Sequence, residues 1–297
     1  MSGFIKQCRL TLKSARAGEP DLLRLALAEI GISQDDIVEE DKKGKVCLLF
    51  YIKKPQDARR LLSRIRALKL KGVSLSLSTL KDADWKTRWK KYARPFNITG
   101  KLRVVQLSPL NTGLKKRPDD IFIDTTFAFG TGLHATTQMM AKFISGKKGD
   151  FGSFFDVGTG TGILSIIAHK YGAKSIYAID IDKEAVATAR RNFLTNHCRI
   201  DYVLAVSFDA FKLKKRFDFL CANLLTEDLI RLKDKLIASV APGKYLAVSG
   251  IYRDNYARFR KKFSSSRLKC LRVSQSKGWY ALLFRVKSGS PHLNPLP

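Results

Sequence analysis

The amino-acid sequence predicts an α/β protein in which a doubly wound, parallel sheet follows a small α+β domain. Three observations carry this. From residue 154 onward, short apolar runs alternate with amphipathic stretches, the pattern of strands joined by crossover helices. Roughly residues 3 to 81 instead follow the order β-α-β-β-α-β. Between strand and helix stands a glycine-rich run, Asp156-Val-Gly158-Thr-Gly160-Thr-Gly162.

The small domain is read element by element. Residues 6–13 alternate polar and apolar, as a strand does, and Pro20 opens an amphipathic stretch, DLLRLALAEI, closed by Gly31. Two strand-like runs flank DKKGK within residues 37–52, a hairpin pattern. Pro55 introduces a second helix, QDARRLLSRIRALKL, and VSLSLSTL alternates as the fourth strand. The order matches a ferredoxin-like domain over 1–81. In the following linker, 82–100, Trp85, Trp89 and Tyr92 fall on one helical face, either a packing stripe or a basic, aromatic nucleic-acid surface.

The larger domain spans 101–287. Its predicted elements are strand FFDVG, a helix over 163–170, strand SIYAIDI, a helix over 183–192, strand FDFLCAN, a helix over 227–240, strand YLAVSGI, a helix over 254–263 and two terminal strands. Residues 288–297, SGSPHLNPLP, read as a disordered tail.

Charge and composition bound the function. The 297 residues hold 55 Lys plus Arg against 26 Asp plus Glu, a net charge of +29, with 45% apolar residues. Counted by hundreds the excess is +11, +6 and +12, so a basic body, not a detachable arm, carries it. Such a field draws polyanions such as RNA or anionic lipid. The longest apolar run, Val46 to Ile52, is far short of a membrane span. Five scattered cysteines without a C-x-x-C pair, and the absence of a signal-peptide pattern, predict reduced thiols and a cytoplasmic setting. His134, His169, His197 and His292 show no metal-ligand spacing, so no metal is expected.

The glycine run carries the chemistry. Gly158, Gly160 and Gly162 let the backbone turn tightly and bare its amides to a ligand at a helix N-terminus. The G-x-x-G ending of a dinucleotide fingerprint is missing, because Ile163 or Ser165 stands where its last glycine belongs. G-x-G-x-G after an acidic residue is instead the pattern of class I S-adenosylmethionine-dependent methyltransferases. That pattern calls for a carboxylate at the end of the next strand to accept from both ribose hydroxyls, and Asp180 stands there. Asp180 could alternatively cap the helix that begins near Asp182. Asp156 is read as a loop organiser or as a ligand to the methionine ammonium, and Asp209 as a weak candidate for adenine contact. Asn223, ending the strand FDFLCAN, can orient an incoming amine for methyl transfer, or simply end the strand in a turn.

At this point a resemblance becomes specific. IDTTFAFGTGLHATT, residues 123–137, with FDVGTGTGILSIIAHKYGAKSIYAIDIDKEAV, CANLL and the DWKTRW linker, is similar to the PrmA family, methyltransferases of large-subunit ribosomal protein L11. The resemblance runs from about residue 5 to 287. It implies a class I methyltransferase fold and S-adenosylmethionine as cofactor, with contacts at Thr137, Gly158, Asp180 and Asn223. A threonine at 137 would otherwise be an ordinary cap opening the helix QMMAKFI. Phe127 and Phe129 would wall the channel or pack in the core. The chain departs from the family at Thr125-Thr126, where Pro-Gly is common, and at Ala135. His134 is expected to hold its loop together rather than act as a base.

The expected function is methylation of lysine side chains, and of an N-terminal amine, on L11 by a cytoplasmic monomer. Asn223 would be the catalytic residue, and Thr137, Gly158, Gly160, Gly162, Asp180 and Asn223 would bind cofactor. The basic surface would touch ribosomal RNA. Two alternatives stand beside this: a ribosomal RNA methyltransferase, against which Leu224-Leu225 replace the aromatic platform a flipped base needs, and a noncatalytic ribosome-binding module.

Overall fold

A computed structural model describes residues 4–12, 37–42, 45–52, 57–81 apart from 69 and 71, 95–107, 114–124, 131–212 and 215–288, together with Leu23, Ala26, Leu27, Ile30 and Ile32. The aromatic stripe of Trp85, Trp89 and Tyr92, the loop residues Thr125, Phe127 and Phe129, and the tail from residue 289 lie outside the described residues. The chain divides into two compact units, Met1–Arg94 and Pro95–Pro297.

In the first unit, strands β1 (Phe4–Leu12), β2 (Val38–Lys42), β3 (Lys45–Ile52) and β4 (Val73–Lys81) form one antiparallel sheet in the order β2-β3-β1-β4. Helix α1 (Asp57–Ala67) turns Ala58, Leu61, Leu62 and Ile65 onto a core of Leu10, Leu48 and Phe50, because the spacing i, i+3, i+4, i+7 is one helical face. Leu23, Ala26 and Leu27 are helical, and Leu23 and Leu27 are buried in the same core.

The second unit opens with a three-stranded sheet, β5 (Phe96–Thr99), β6 (Leu102–Gln106) and β7 (Asp120–Ile123). Arg103 donates to both carboxylate oxygens of the buried Asp120, at 2.7 and 2.8 Å, and holds that carboxyl below its ordinary range. Helix α2 (Ala135–Ser145) leads into the main sheet.

That sheet holds β8 (Ser153–Val157), β9 (Ser175–Asp180), β10 (Tyr202–Ala205), β11 (Phe217–Asn223), β12 (Val240–Tyr252), β13 (Leu268–Ser276) and β14 (Trp279–Val286). The order is β10-β9-β8-β11-β12-β14-β13, and the first five strands run parallel. The order reverses between β8 and β11, which places a binding crevice at their carboxyl ends. The crossover helices are α3 (Ile163–Lys170), α4 (Lys183–Thr195), the short pair α5 (Thr226–Arg231) and α6 (Lys233–Ala238), and α7 (Arg253–Lys262).

Two details differ from the periodicity. β13 and β14 form an antiparallel hairpin, since only two residues, Lys277 and Gly278, join them, with φ of 50° and 81°. Positive φ at both positions is the turn that matches strand twist. The helix expected over 227–240 is broken at Leu232, and it ends before Val240 because Pro242 and Gly243 cannot continue it.

Candidate functional site

The carboxyl ends of β8, β9 and β11 bring the predicted residues to one crevice. Gly158, Gly160 and Gly162 have φ of 77°, 56° and 82°, all left-handed. Gly162 is the N-cap of α3, so that helix begins without a side-chain cap and its first amides remain directed outward.

Asp156 and Asp180 hold this loop from two sides. Asp156 Oδ2 accepts from the Thr159 and Ser165 hydroxyls, both at 2.9 Å. Asp180 Oδ2 accepts from the Gly160 amide at 2.9 Å, and its Oδ1 from the Asp182 amide at 3.0 Å. Asp182, not Asp180, caps α4, accepting from Glu184 N. Burial pushes the Asp156 carboxyl up to about 6, opposed by those two hydroxyls, and burial raises Asp180 as well.

Two polar atoms are buried here without a hydrogen-bond partner among the described residues: Asp156 Oδ1 and Thr137 Oγ1. A buried orphan acceptor or hydroxyl costs free energy, so a polar ligand reaching both would recover it. Thr137 does not open its helix. Instead α2 starts two residues earlier and its cap is His134, whose Nδ1 accepts from Thr136 N.

Thr136 is the residue that motif and spacing do not reveal. Its hydroxyl lies 2.7 Å from His134 Nδ1 and accepts from Asn223 Nδ2 at 3.2 Å. Nδ1 of His134 thus meets both the amide and the hydroxyl of Thr136. Its ring stands edge-on to Trp279, centroids 5.1 Å apart. Asn223 Nδ2 is thereby turned inward, and its Oδ1 has no donor among the described residues.

Leu224 fixes Asn223 from the other side. A Cβ on Gly158 would lie 2.4 Å from Leu224 Cδ2, and one on Gly250 would lie 1.9 Å from the Leu224 carbonyl oxygen. Gly250 has φ of 94° and sits in a bulge of β12, where the pairing with β14 shifts register. Leu224 is therefore seated between Gly158, just after β8, and Gly250 of β12, the two strands that flank β11, while its amide bonds Ser249 O at 3.1 Å.

Further contacts tie the approach to the crevice. Asn192 of α4 accepts from Asp124 N at 2.7 Å and donates to Asp124 O at 3.1 Å and Thr161 O at 2.9 Å. Asn196 embraces Phe122 in the same way. Asp209 is exposed and ion-paired to Arg231, so it is spent on the surface. Ile181 and Leu225 stay 79% and 58% exposed beside Asp180 and Asn223, an apolar lip on an otherwise polar site. Among the described residues no His, Cys, Asp and Glu cluster could hold a metal, and no helix is long and apolar enough to cross a membrane.

Comparison with known proteins points to one family. The family described as ribosomal protein L11 methyltransferase (PrmA) matches residues 23–287. A ribosomal protein L11 methyltransferase of Geobacter metallireducens is 35% identical over 213 residues, 71% of this chain and 69% of its own length. One from Staphylococcus aureus is 33% identical over 215 residues, covering 71% and 68%. The crystal structure of a ribosomal protein L11 methylase from Lactobacillus delbrueckii subsp. bulgaricus superposes with a TM-score of 0.59 at 27% identity, over 66% of this chain and all of that one.

Proposed function

Because this chain belongs to the ribosomal protein L11 methyltransferase (PrmA) family, we propose that it transfers methyl groups to lysine amines of that protein, with Asn223 orienting the amine. The methyl donor is S-adenosylmethionine, which supplies an electrophilic methyl group on a sulfonium. The residues present fit it: Thr137 Oγ1 and Asp156 Oδ1 are buried acceptors awaiting a polar partner, and Gly158, Gly160 and Gly162 bare a helix N-terminus. Asp180, at the end of β9, would take the ribose hydroxyls, and Ile181 would cover apolar surface beside it.

The observation that carries the amine reading is the orientation of Asn223. Its Nδ2 is spent on Thr136, so Oδ1 is the end offered to the substrate. An acceptor there receives an N–H from a neutral amine and leaves the nitrogen lone pair free to point at the methyl group. Positioning of this kind can supply most of the rate, since no covalent enzyme intermediate is needed. His134 Nδ1 is committed to the Thr136 amide and hydroxyl, which supports a positioning role for that ring.

The test is transfer from radiolabelled S-adenosylmethionine to purified L11, followed by peptide mass spectrometry. Label on lysine side chains is expected. Label on ribosomal RNA, or on L11 oxygen or sulfur atoms only, would overturn the amine reading.

A further inference from the structure

The parallel sheet gives the 95–297 unit two poles of opposite character. Helices run from the carboxyl end of one strand to the amino end of the next, so the crevice occupies one pole. Asp156, Asp180, Asp182, Glu184 and Glu227 gather there. The other pole is basic. Lys174 precedes β9, Lys215 and Arg216 precede β11, and α7 ends in Arg260, Lys261 and Lys262. The terminal hairpin returns Arg285 and Lys287 to the same end, because Arg285 pairs with Tyr245 near the start of β12.

These eight side chains are all exposed, and none forms an ion pair among the described residues. The carboxylates of this pole are otherwise engaged. Asp218 accepts from the Gly152 and Ser153 amides and faces Lys244 at 3.6 Å. Asp201 accepts from the Ser175 hydroxyl, and Asp150 from Tyr245 Oη.

Helix dipoles explain only part of the pattern. Cations are favoured at helix C-termini, which would account for Arg260, Lys261 and Lys262. Yet Lys233 Nζ already serves that end, donating to Lys262 O at 3.3 Å and Ser264 O at 3.5 Å. Of the remaining five, Lys215 donates to Ser175 Oγ and Arg285 to Gly243 O, both at 2.7 Å, while Lys174, Arg216 and Lys287 stand in turns and on strand ends. Cations that share one end of a sheet without carboxylate partners repel one another, and a partner with regularly spaced negative charge relieves that repulsion.

We propose that this amino pole docks on the phosphodiester backbone of ribosomal RNA while the opposite pole, on the order of 20 Å away along the strands, faces the protein substrate. The proposal rests on the ribosomal substrate reading, since a protein lodged in RNA presents phosphates around it.

The test uses the full chain, purified large-subunit ribosomal RNA, and vesicles of phosphatidylcholine with phosphatidylglycerol. Binding is measured across salt concentrations for the wild type, for the triple variant Lys261→Glu, Lys262→Glu, Lys287→Glu, and for the same sites changed to Arg. Circular dichroism melting checks that each variant folds. The triple variant should bind RNA at least about tenfold more weakly, and its log affinity against log salt should flatten by about 0.7–0.9 for each phosphate it no longer neutralises. The Arg variant should bind as the wild type does. Methylation of free L11 should be unchanged, and that of intact large subunits reduced. Wild-type RNA affinity in the triple variant, a flat salt dependence, or binding to vesicles without binding to RNA would each overturn the proposal. Absence of methylation of free L11 in every variant, with RNA binding behaving as described, sinks the functional reading and supports the docking surface.

Discussion

Asn223 Nδ2 donates to the Thr136 hydroxyl at 3.2 Å, and this bond decides which end of the amide faces the crevice. Thr136→Val keeps the shape and removes the acceptor, leaving a half-buried amide free to turn. Methyl transfer should fall about tenfold in kcat, a loss of about 1.4 kcal/mol in transition-state stabilisation, with cofactor affinity nearly unchanged. Thr136→Ser should restore it. Asn223→Ala, which removes the acceptor itself, should cost about 100-fold or more. Kinetics with radiolabelled cofactor, alongside calorimetric binding, separate the two; a Thr136→Val variant that loses cofactor affinity instead of kcat would contradict the orienting role.

Asp156 makes stability depend on pH. Its carboxyl is raised to about 6 by burial, against an ordinary value of 3.8, so the folded chain binds the proton more tightly than the unfolded chain. Stability from this source is full below about pH 4 and is lost as pH rises through 6, a change of about 3 kcal/mol. Asp156→Asn keeps an acceptor for Thr159 and Ser165 and has no charge to bury. Urea unfolding at about pH 3.5 and about pH 8, on either side of that window, should show the variant gaining on the wild type as pH rises. A gap that is the same at both pH values would refute this account.

The residues legible in sequence are those whose chemistry depends on local spacing. Three glycines at alternate positions and an acidic residue one strand later need no tertiary knowledge, and the structure gathers Gly158, Gly160, Gly162, Asp180 and Asn223 at one crevice. Alternating strands and helices are legible for the same reason. What stays hidden depends on register. Thr136 and Thr137 are neighbours, about 100° apart on a helix, and which one meets Asn223 depends on the helix starting at Ala135 under a His134 cap. The seating of Leu224 between Gly158 and Gly250 requires the pairing of three strands. Asn192 and Asn196 leave only a faint trace, two amides four residues apart on one face of an amphipathic helix, whose partners lie 31 to 74 residues away.

Gly250 is a position where the side chain of alanine has nowhere to go. The added Cβ would meet the Leu224 carbonyl at 1.9 Å, a backbone atom that can move only by carrying Asn223 with it. The left-handed φ of 94° adds strain of about 1–3 kcal/mol. Gly250→Ala should therefore lower the melting temperature by several degrees and reduce methyl transfer by more than about tenfold. Thermal melts and single-turnover assays read the two effects separately; wild-type kcat in a folded variant would show that Leu224 does not hold Asn223.

Asn192 and Asn196 divide stability from function. Both replace strand-like hydrogen bonds along residues 122–124, but only Asn192 also reaches the glycine loop, through Thr161 O. Removing either amide takes hydrogen bonds from half-buried main-chain groups of residues 122–124, at about 1–3 kcal/mol for each variant. Asn192→Ala should also raise the KM for S-adenosylmethionine several-fold, because Thr161 loses the donor that pins it between Gly160 and Gly162. Asn196→Ala should lower urea stability by a similar amount with KM unchanged. Equal KM values in the two variants would mean that the glycine loop is held by Asp156 and Asp180 alone.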